Sequence, residues 1–156
     1  MTSDVSLKGK LQSDLNGAIK SRNTVVAETI RMVLSAITNE EVAGKEKREL
    51  SDAEVITVLT REAKKRREAA EAFEQAGAKD RADMEKAEGV VIAEYLPVQL
   101  SESEIKEMIN AAIAETGATG PQQMGLVMKS IQPKIAGRAD GGVVSSLVKA
   151  ALSGGN

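Results

Sequence analysis

The sequence predicts an all-α protein in two parts: an N-terminal domain of about four helices over residues 1–96, and a small three-helix C-terminal domain over 97–156. Apolar residues recur at i, i+3, i+4 and i+7 through the long segments, and no segment alternates with the period of a strand. Two Ser-x-x-Glu patterns, Ser51 with Glu54 and Ser101 with Glu104, mark reciprocal capping boxes at fresh helix starts. Between them Pro97 forces Leu96 out of the helical region and removes a backbone donor, so the chain divides there. Before this break the sequence is densely charged; after it, glycines punctuate a charge-poor stretch.

The first helix is expected from about Ser6 to Lys20, with Leu7, Leu11, Leu15, Ala18 and Ile19 on one face. Ser21-Arg22-Asn23 is a polar break. The second helix carries Val26, Ile30, Val33, Leu34 and Ile37, and should fray between Glu41 and Gly44. After the charged loop Lys45–Glu49, the third helix starts at the Ser51 box and runs to about Ala76, with Gly77 suited to the C′ position. Its apolar face is Val55, Val58, Leu59, Ala63, Ala70 and Phe73. The fourth helix is expected over Arg81–Tyr95, with Met84, Ala87, Val91 and Tyr95 in line. Gly89 inside it costs up to about 1 kcal/mol against Ala, which suggests close packing.

Past the break, Ile105, Met108, Ile109, Ala112 and Ile113 form the stripe of a fifth helix that stops at Gly117. Gly120-Pro121 opens a sixth, because proline at the first helical position loses no needed donor. Met124, Val127, Met128 and Ile131 are its stripe, and Pro133 is expected to end it. Asp140 reads as the N-cap of a seventh helix lined by Val144, Leu147, Val148 and Ala151. The tail Ser153–Asn156 is expected to be disordered.

The composition bounds the chemistry. Phe73 and Tyr95 are the only aromatics, so the core is aliphatic. There is no cysteine and no histidine, which excludes disulfides, Cys/His zinc sites, thiol nucleophiles and His-dependent triads within this chain. A net charge of -2, from 21 basic and 23 acidic residues, gives no global pull toward polyanions. No apolar signal core and no run of about 20 apolar residues appears, so a cytoplasmic protein without a membrane partner is expected.

The densest feature is Arg61, Lys64, Lys65, Arg66 and Arg67 on the third helix. One reading is a solvated face laced by the i,i+4 pairs Glu62–Arg66, Lys64–Glu68 and Arg67–Glu71, each worth a few tenths of a kcal/mol. The other is a phosphate-binding stripe, since four successive cations wrap most of a turn. A smaller set, Lys129, Lys134 and Arg138, surrounds the turn before the last helix; Arg138 can alternatively pair with Asp140 or with a helix C-terminus. Stacking of single-stranded RNA has too few aromatics to rest on, whereas recognition of a folded RNA by shape and backbone needs none. Gly137, Gly141 and Gly142 precede a helix without the Lys-Ser/Thr of a phosphate loop, and Asp140 competes for the same amides. No catalytic residue, metal or cofactor is expected.

Taken together, Lys64–Gly77, Tyr95-Leu96-Pro97-Val98-Gln99-Leu100-Ser101, Met124–Met128 and Gly137-Arg138-Ala139-Asp140-Gly141 resemble, in order, the signatures of the GatB/YqeY family. The resemblance spans essentially the whole chain. It departs at Ala69, where a Ser is common, at Ala78, where the family often has Arg, and at Val98 and Ala136, where it often has Lys. It implies an all-helical N-terminal domain and a three-helix tail related to the B subunit of a glutamine-dependent tRNA amidotransferase, whose tail helps engage tRNA. With the cationic stripe and the missing nucleophile and phosphate loop, the expected function is a tRNA- or RNA-associated adaptor with no catalysis of its own, and the eight cations above are the expected RNA-binding residues. Two alternatives stand beside it: an accessory component of carbon–nitrogen ligation with glutamine as amido donor, partnered by amidotransferase or other translation-related proteins, and a protein-binding helical module.

Overall fold

A computed structural model describes residues 5–154. It is all-helical, with α1 (Leu7–Lys20), α2 (Thr24–Val42), α3 (Asp52–Gln75), α4 (Lys79–Ala93), α5 (Glu102–Thr116), α6 (Met124–Ile135, preceded by a 3-10 turn at Pro121–Gln123) and α7 (Gly141–Leu152). Backbone contacts group into two compact units, Met1–Leu96 and Pro97–Asn156.

Helix boundaries follow the local chemistry. Ser6 Oγ accepts from the Gly9 amide and caps α1; Asn23 Oδ1 accepts from the Val26 amide and caps α2. Both Ser-x-x-Glu patterns close as reciprocal capping boxes, at Ser51 for α3 and Ser101 for α5. Each box fills orphan amides and is worth roughly 1 kcal/mol. Helices α1 and α3 end in the same Schellman geometry. The Asn23 amide reaches the Ala18 carbonyl and the Arg22 amide that of Ile19; the Ala78 amide reaches Phe73 and the Gly77 amide Glu74. The left-handed residue is Gly77 (φ 76°) in one and Arg22 (φ 59°) in the other.

The first unit closes over Leu11, Ile30, Val33, Ile37, Val55, Val58 and Leu59, with Val91 and Ile92 brought in by α4. Glu41, only 3 % exposed, holds the α2–α3 connection: its carboxylate accepts from Lys8 Nζ at 2.9 Å and from the Leu50 amide at 3.3 Å. Its own carbonyl accepts from the Arg48 amide at 3.0 Å. The second unit closes over Ile105, Ile109, Val127, Ile131, Ile135, Val144 and Val148.

Four expectations need correcting. Helix α4 starts two residues earlier than expected, and its stripe is only partly as expected. Val91 is buried and Tyr95 packs on the core, but Ala82 and Ile92 point inward in place of Ala87, which is exposed, and Met84, which is 61 % exposed. Gly89 has no close packing, for a Cβ there would meet nothing within 4 Å. Pro133 does not end α6 but lies inside its last turn, because one more turn buries Ile135 on the stripe of Val127 and Ile131. Finally, Ser153 is ordered, its amide and hydroxyl both donating to the Lys149 carbonyl, and Gly154 continues the turn; Gly155 and Asn156 lie outside the described residues.

Candidate nucleic-acid interface

The cations of α3 separate by their angle around the helix. At 100° per residue, Arg61, Lys64, Lys65 and Arg67 fall within an arc of about 160°, and Arg66 falls on the far side. The burial pattern agrees: Arg61, Lys64, Lys65 and Arg67 are exposed, whereas Arg66 is 9 % exposed and Glu62, one turn before it, 6 %.

Arg66 is therefore removed from the exposed stripe. Its Nη1 donates to the Glu62 carbonyl at 3.2 Å and lies 3.6 Å from the Glu62 carboxylate; Nη2 donates to the Met32 sulfur on α2 at 3.4 Å. Its Nε lies 3.5 Å from Glu88 on α4. These ion-pair distances are long, and both Arg66 Nε and Glu62 Oε2 lack a hydrogen-bonded partner. Glu88 is pushed up from the ordinary carboxylate range, chiefly by burial and then by repulsion from Glu85, with Arg66 opposing. Arg66 thus ties α2, α3 and α4 together from inside the unit.

The exposed cations are only partly compensated. Arg61 pairs with Glu40 at 3.4 Å and Lys65 with Glu62 at 3.2 Å, the latter an i,i+3 contact rather than one of the i,i+4 pairs expected from spacing. The Arg61–Glu40 pair is exposed on both sides, so it contributes at most about 1 kcal/mol and yields easily to another anion; in the Lys65–Glu62 pair the lysine is exposed and the carboxylate buried. Lys64 has no ion pair among the described residues. Both aromatic rings already carry a cation, Arg81 over Phe73 at 5.8 Å and Lys10 over Tyr95 at 5.5 Å, and both are half-buried. The arc is suited to point-charge contact with phosphates, not to base stacking.

In the second unit Lys129 and Lys134 are exposed on α6. Arg138 is tied down: Nε donates to the Val98 carbonyl at 3.1 Å and Nη1 to the Lys134 carbonyl at 3.5 Å, near the α6 C-terminus. Gln99 Nε2 adds bonds to the carbonyls of Gly137 and Pro97, and the Leu100 amide donates to the Arg138 carbonyl. The segment after the break and the Gly137-Arg138 turn are one hydrogen-bonded structure. Asp140 accepts from the Gly142 amide at 2.7 Å, filling one of the donors at the start of α7 and placing a carboxylate where an anion would sit. Among the described residues no cluster of acidic side chains is arranged to hold a metal, and no helix is long and apolar enough to cross a membrane.

A family model described as Yqey-like protein matches residues 8–152. The chain is 32 % identical over 148 residues to "Altered inheritance of mitochondria protein 41, mitochondrial" of Clavispora lusitaniae, covering 92 % of this chain and 84 % of that protein. It is 30 % identical over 133 residues to the protein of the same name from Pyrenophora tritici-repentis, covering 83 % and 71 %. An uncharacterized protein of Schizosaccharomyces pombe is 32 % identical over 97 residues, 62 % of this chain and 76 % of that one. With the match running almost end to end, the chain belongs to the Yqey-like protein family.

Proposed function

We propose that this protein is a tRNA- or RNA-associated adaptor that works by binding rather than by catalysis, in a compartment where folded RNA is available. The observation that carries the reading is the exposed arc of α3, where Lys64, Lys65 and Arg67 stand on one side and the fourth cation, Arg66, is turned inward. A rigid helix presenting cations without aromatics fits the phosphate backbone of a folded RNA. The family's kinship with the tail of the amidotransferase B subunit supports the same partner class and brings in the tail cations Lys129 and Lys134.

The test is binding of a mixed tRNA pool to the purified protein across a salt series. The expected outcome is an affinity that falls log–log with salt, with a slope of roughly two to four from a corresponding number of phosphate contacts. Absence of salt-dependent binding between about 50 and 200 mM salt overturns the proposal. Recovery of amidotransferase subunits without RNA in a pull-down favours the accessory-component reading, which the same kinship motivates. Cytoplasmic placement belongs to the proposal as well; the word mitochondrial in the names of two relatives supplies the competing compartment, and cell fractionation decides between them.

A further inference from the structure

Arg66 is a buried cation whose guanidinium is incompletely satisfied. Its Nε lacks a hydrogen-bonded partner, and one of its Nη2 contacts is a thioether, a weak acceptor. That thioether belongs to Met32, which is 37 % exposed. Of the other methionines in the described residues, Met84 is more exposed, at 61 %, but its sulfur meets no cation; Met108, Met124 and Met128 pack against the second core. Met32 therefore combines access from solvent with a buried cation 3.4 Å from its sulfur.

A hydroperoxide can act on such a sulfur. The sulfur lone pair attacks one peroxide oxygen and the O–O bond breaks. The hydrogen on the transferred oxygen leaves with the departing hydroxide as water; sulfur loses two electrons and the peroxide gains two. The product is a sulfoxide, whose oxygen is a far stronger acceptor than the thioether it replaces. A gap of 3.4 Å between sulfur and nitrogen has no room for an oxygen in line, so the flexible methionine or the guanidinium must turn for the two to meet. The 3.6 Å approach to the Glu62 carboxylate is backed by the Nη1 bond to the Glu62 carbonyl at 3.2 Å, whereas the 3.5 Å approach to Glu88 rests on the ion pair, so the Glu88 side gives way first.

We infer that Met32 is a site of reversible oxidation, and that its sulfoxide takes the Arg66 guanidinium away from Glu88 and loosens α4 from α3. Glu88 is then left with Glu85 on its own helix and Glu28 on α2, both of its own sign. The inference is independent of RNA binding, although it acts on the helix that carries the exposed cations.

The experiment treats the intact protein, Met32→Leu and Met84→Leu with hydrogen peroxide. It follows each methionine by peptide mass spectrometry, the thermal midpoint by circular dichroism, and the Glu88 carboxyl by NMR titration. Expected are oxidation of Met84 and Met32 ahead of Met108 and Met128, and a midpoint lowered by about 4 °C or more in wild type and Met84→Leu. Glu88 should titrate at a higher pH after oxidation, and methionine sulfoxide reductase should reverse both changes. Met32→Leu, a volume-conserving change that keeps the fold, should show neither. Met32 still reduced when Met84 is fully oxidised overturns the inference. So does complete Met32 oxidation that leaves the Glu88 titration unmoved.

Discussion

Arg138 donates from Nε to the carbonyl of Val98 at 3.1 Å, and its own carbonyl accepts from the amide of Leu100 at 2.8 Å. One residue thereby holds the start of the second unit at two points. Arg138→Ala is expected to destabilise a 97–156 fragment by about 1–2 kcal/mol in urea denaturation, because the Val98 carbonyl loses its charged donor. Lys134→Glu should leave stability within about 0.5 kcal/mol, since its side chain is exposed. If Lys134 touches RNA, that second variant flattens the salt slope by about one unit while the first mainly loses stability.

On α3 the double variant Lys64→Glu with Lys65→Glu should weaken binding to many RNA sequences alike. Its log–log salt slope should flatten by roughly one to two units. Slopes and affinities equal to wild type would show that the arc is a solvated face.

Arg66 belongs to a different experiment. Arg66→Ala leaves Glu62 and Glu88 without their shared cation and should cost about 3 kcal/mol, the usual consequence of breaking a buried pair from one side. Adding Glu62→Gln and Glu88→Gln to Arg66→Met should recover most of that loss. Failure to recover would mean that the arginine acts through packing alone.

Stability against pH separates the two buried-side carboxylates. Glu41 is held below its ordinary range, first by the Lys8 hydrogen bond, so the folded form binds its proton less tightly than the unfolded chain. Its contribution is fully present above about pH 4.5 and is lost as the pH falls through the depressed value. Glu88 is shifted the other way by burial, so its ionised form opposes folding above its raised value. Glu88→Gln should accordingly cost much less at pH 7 than Arg66→Ala, because the lost pairing with Arg66 is offset by removal of a charge that burial disfavours. Glu41→Gln should be less stable there, with the difference closing below about pH 4.5. Denaturant midpoints between pH 3 and 7 read both.

The two Schellman turns make a matched pair. Arg22→Gly is expected to stabilise the first unit by up to about 1 kcal/mol, by relieving a left-handed arginine. Gly77→Ala should cost a similar amount although a Cβ there meets nothing within 4 Å, because the cost is conformational. Thermal midpoints of the two variants should move in opposite directions.

Residues 1–96 and 97–156, expressed separately, should each unfold cooperatively, and limited proteolysis of the whole chain should cut between Leu96 and Ser101. Leu96 packs on the first core, whereas Gln99 and Leu100 are bonded to the Gly137-Arg138 turn, so the chain passes from one unit to the next between them. Protease resistance there, with one shared unfolding transition, would contradict the division.

What the sequence made legible and what it hid have one physical origin. Caps are local: Ser51, Ser101 and Asp140 each sit two or three residues from the amide whose hydrogen they accept, so one-dimensional reading finds them. Apolar stripes are legible when only apolar residues face inward, as in α5 and α7. Helix α4 fails that condition, because Glu88 takes up part of its inner side to reach Arg66, and an apolar count rotates the helix toward Met84. The same buried pair hid which of the four successive cations of α3 is unavailable. The partner lies 22 residues on, and no spacing rule links the two.

The Glu41 contacts have a practical consequence for following the protein in cells. The loop between α2 and α3 is closed at its base, where Arg48 and Leu50 near its far end bond back to Glu41 in the last turn of α2, while 43–47 is exposed. Lengthening an already closed loop costs only about 0.6 kcal/mol per doubling. A fluorescent reporter domain spliced between Gly44 and Lys45 should therefore leave both helices in place, and would label the chain without occupying either terminus.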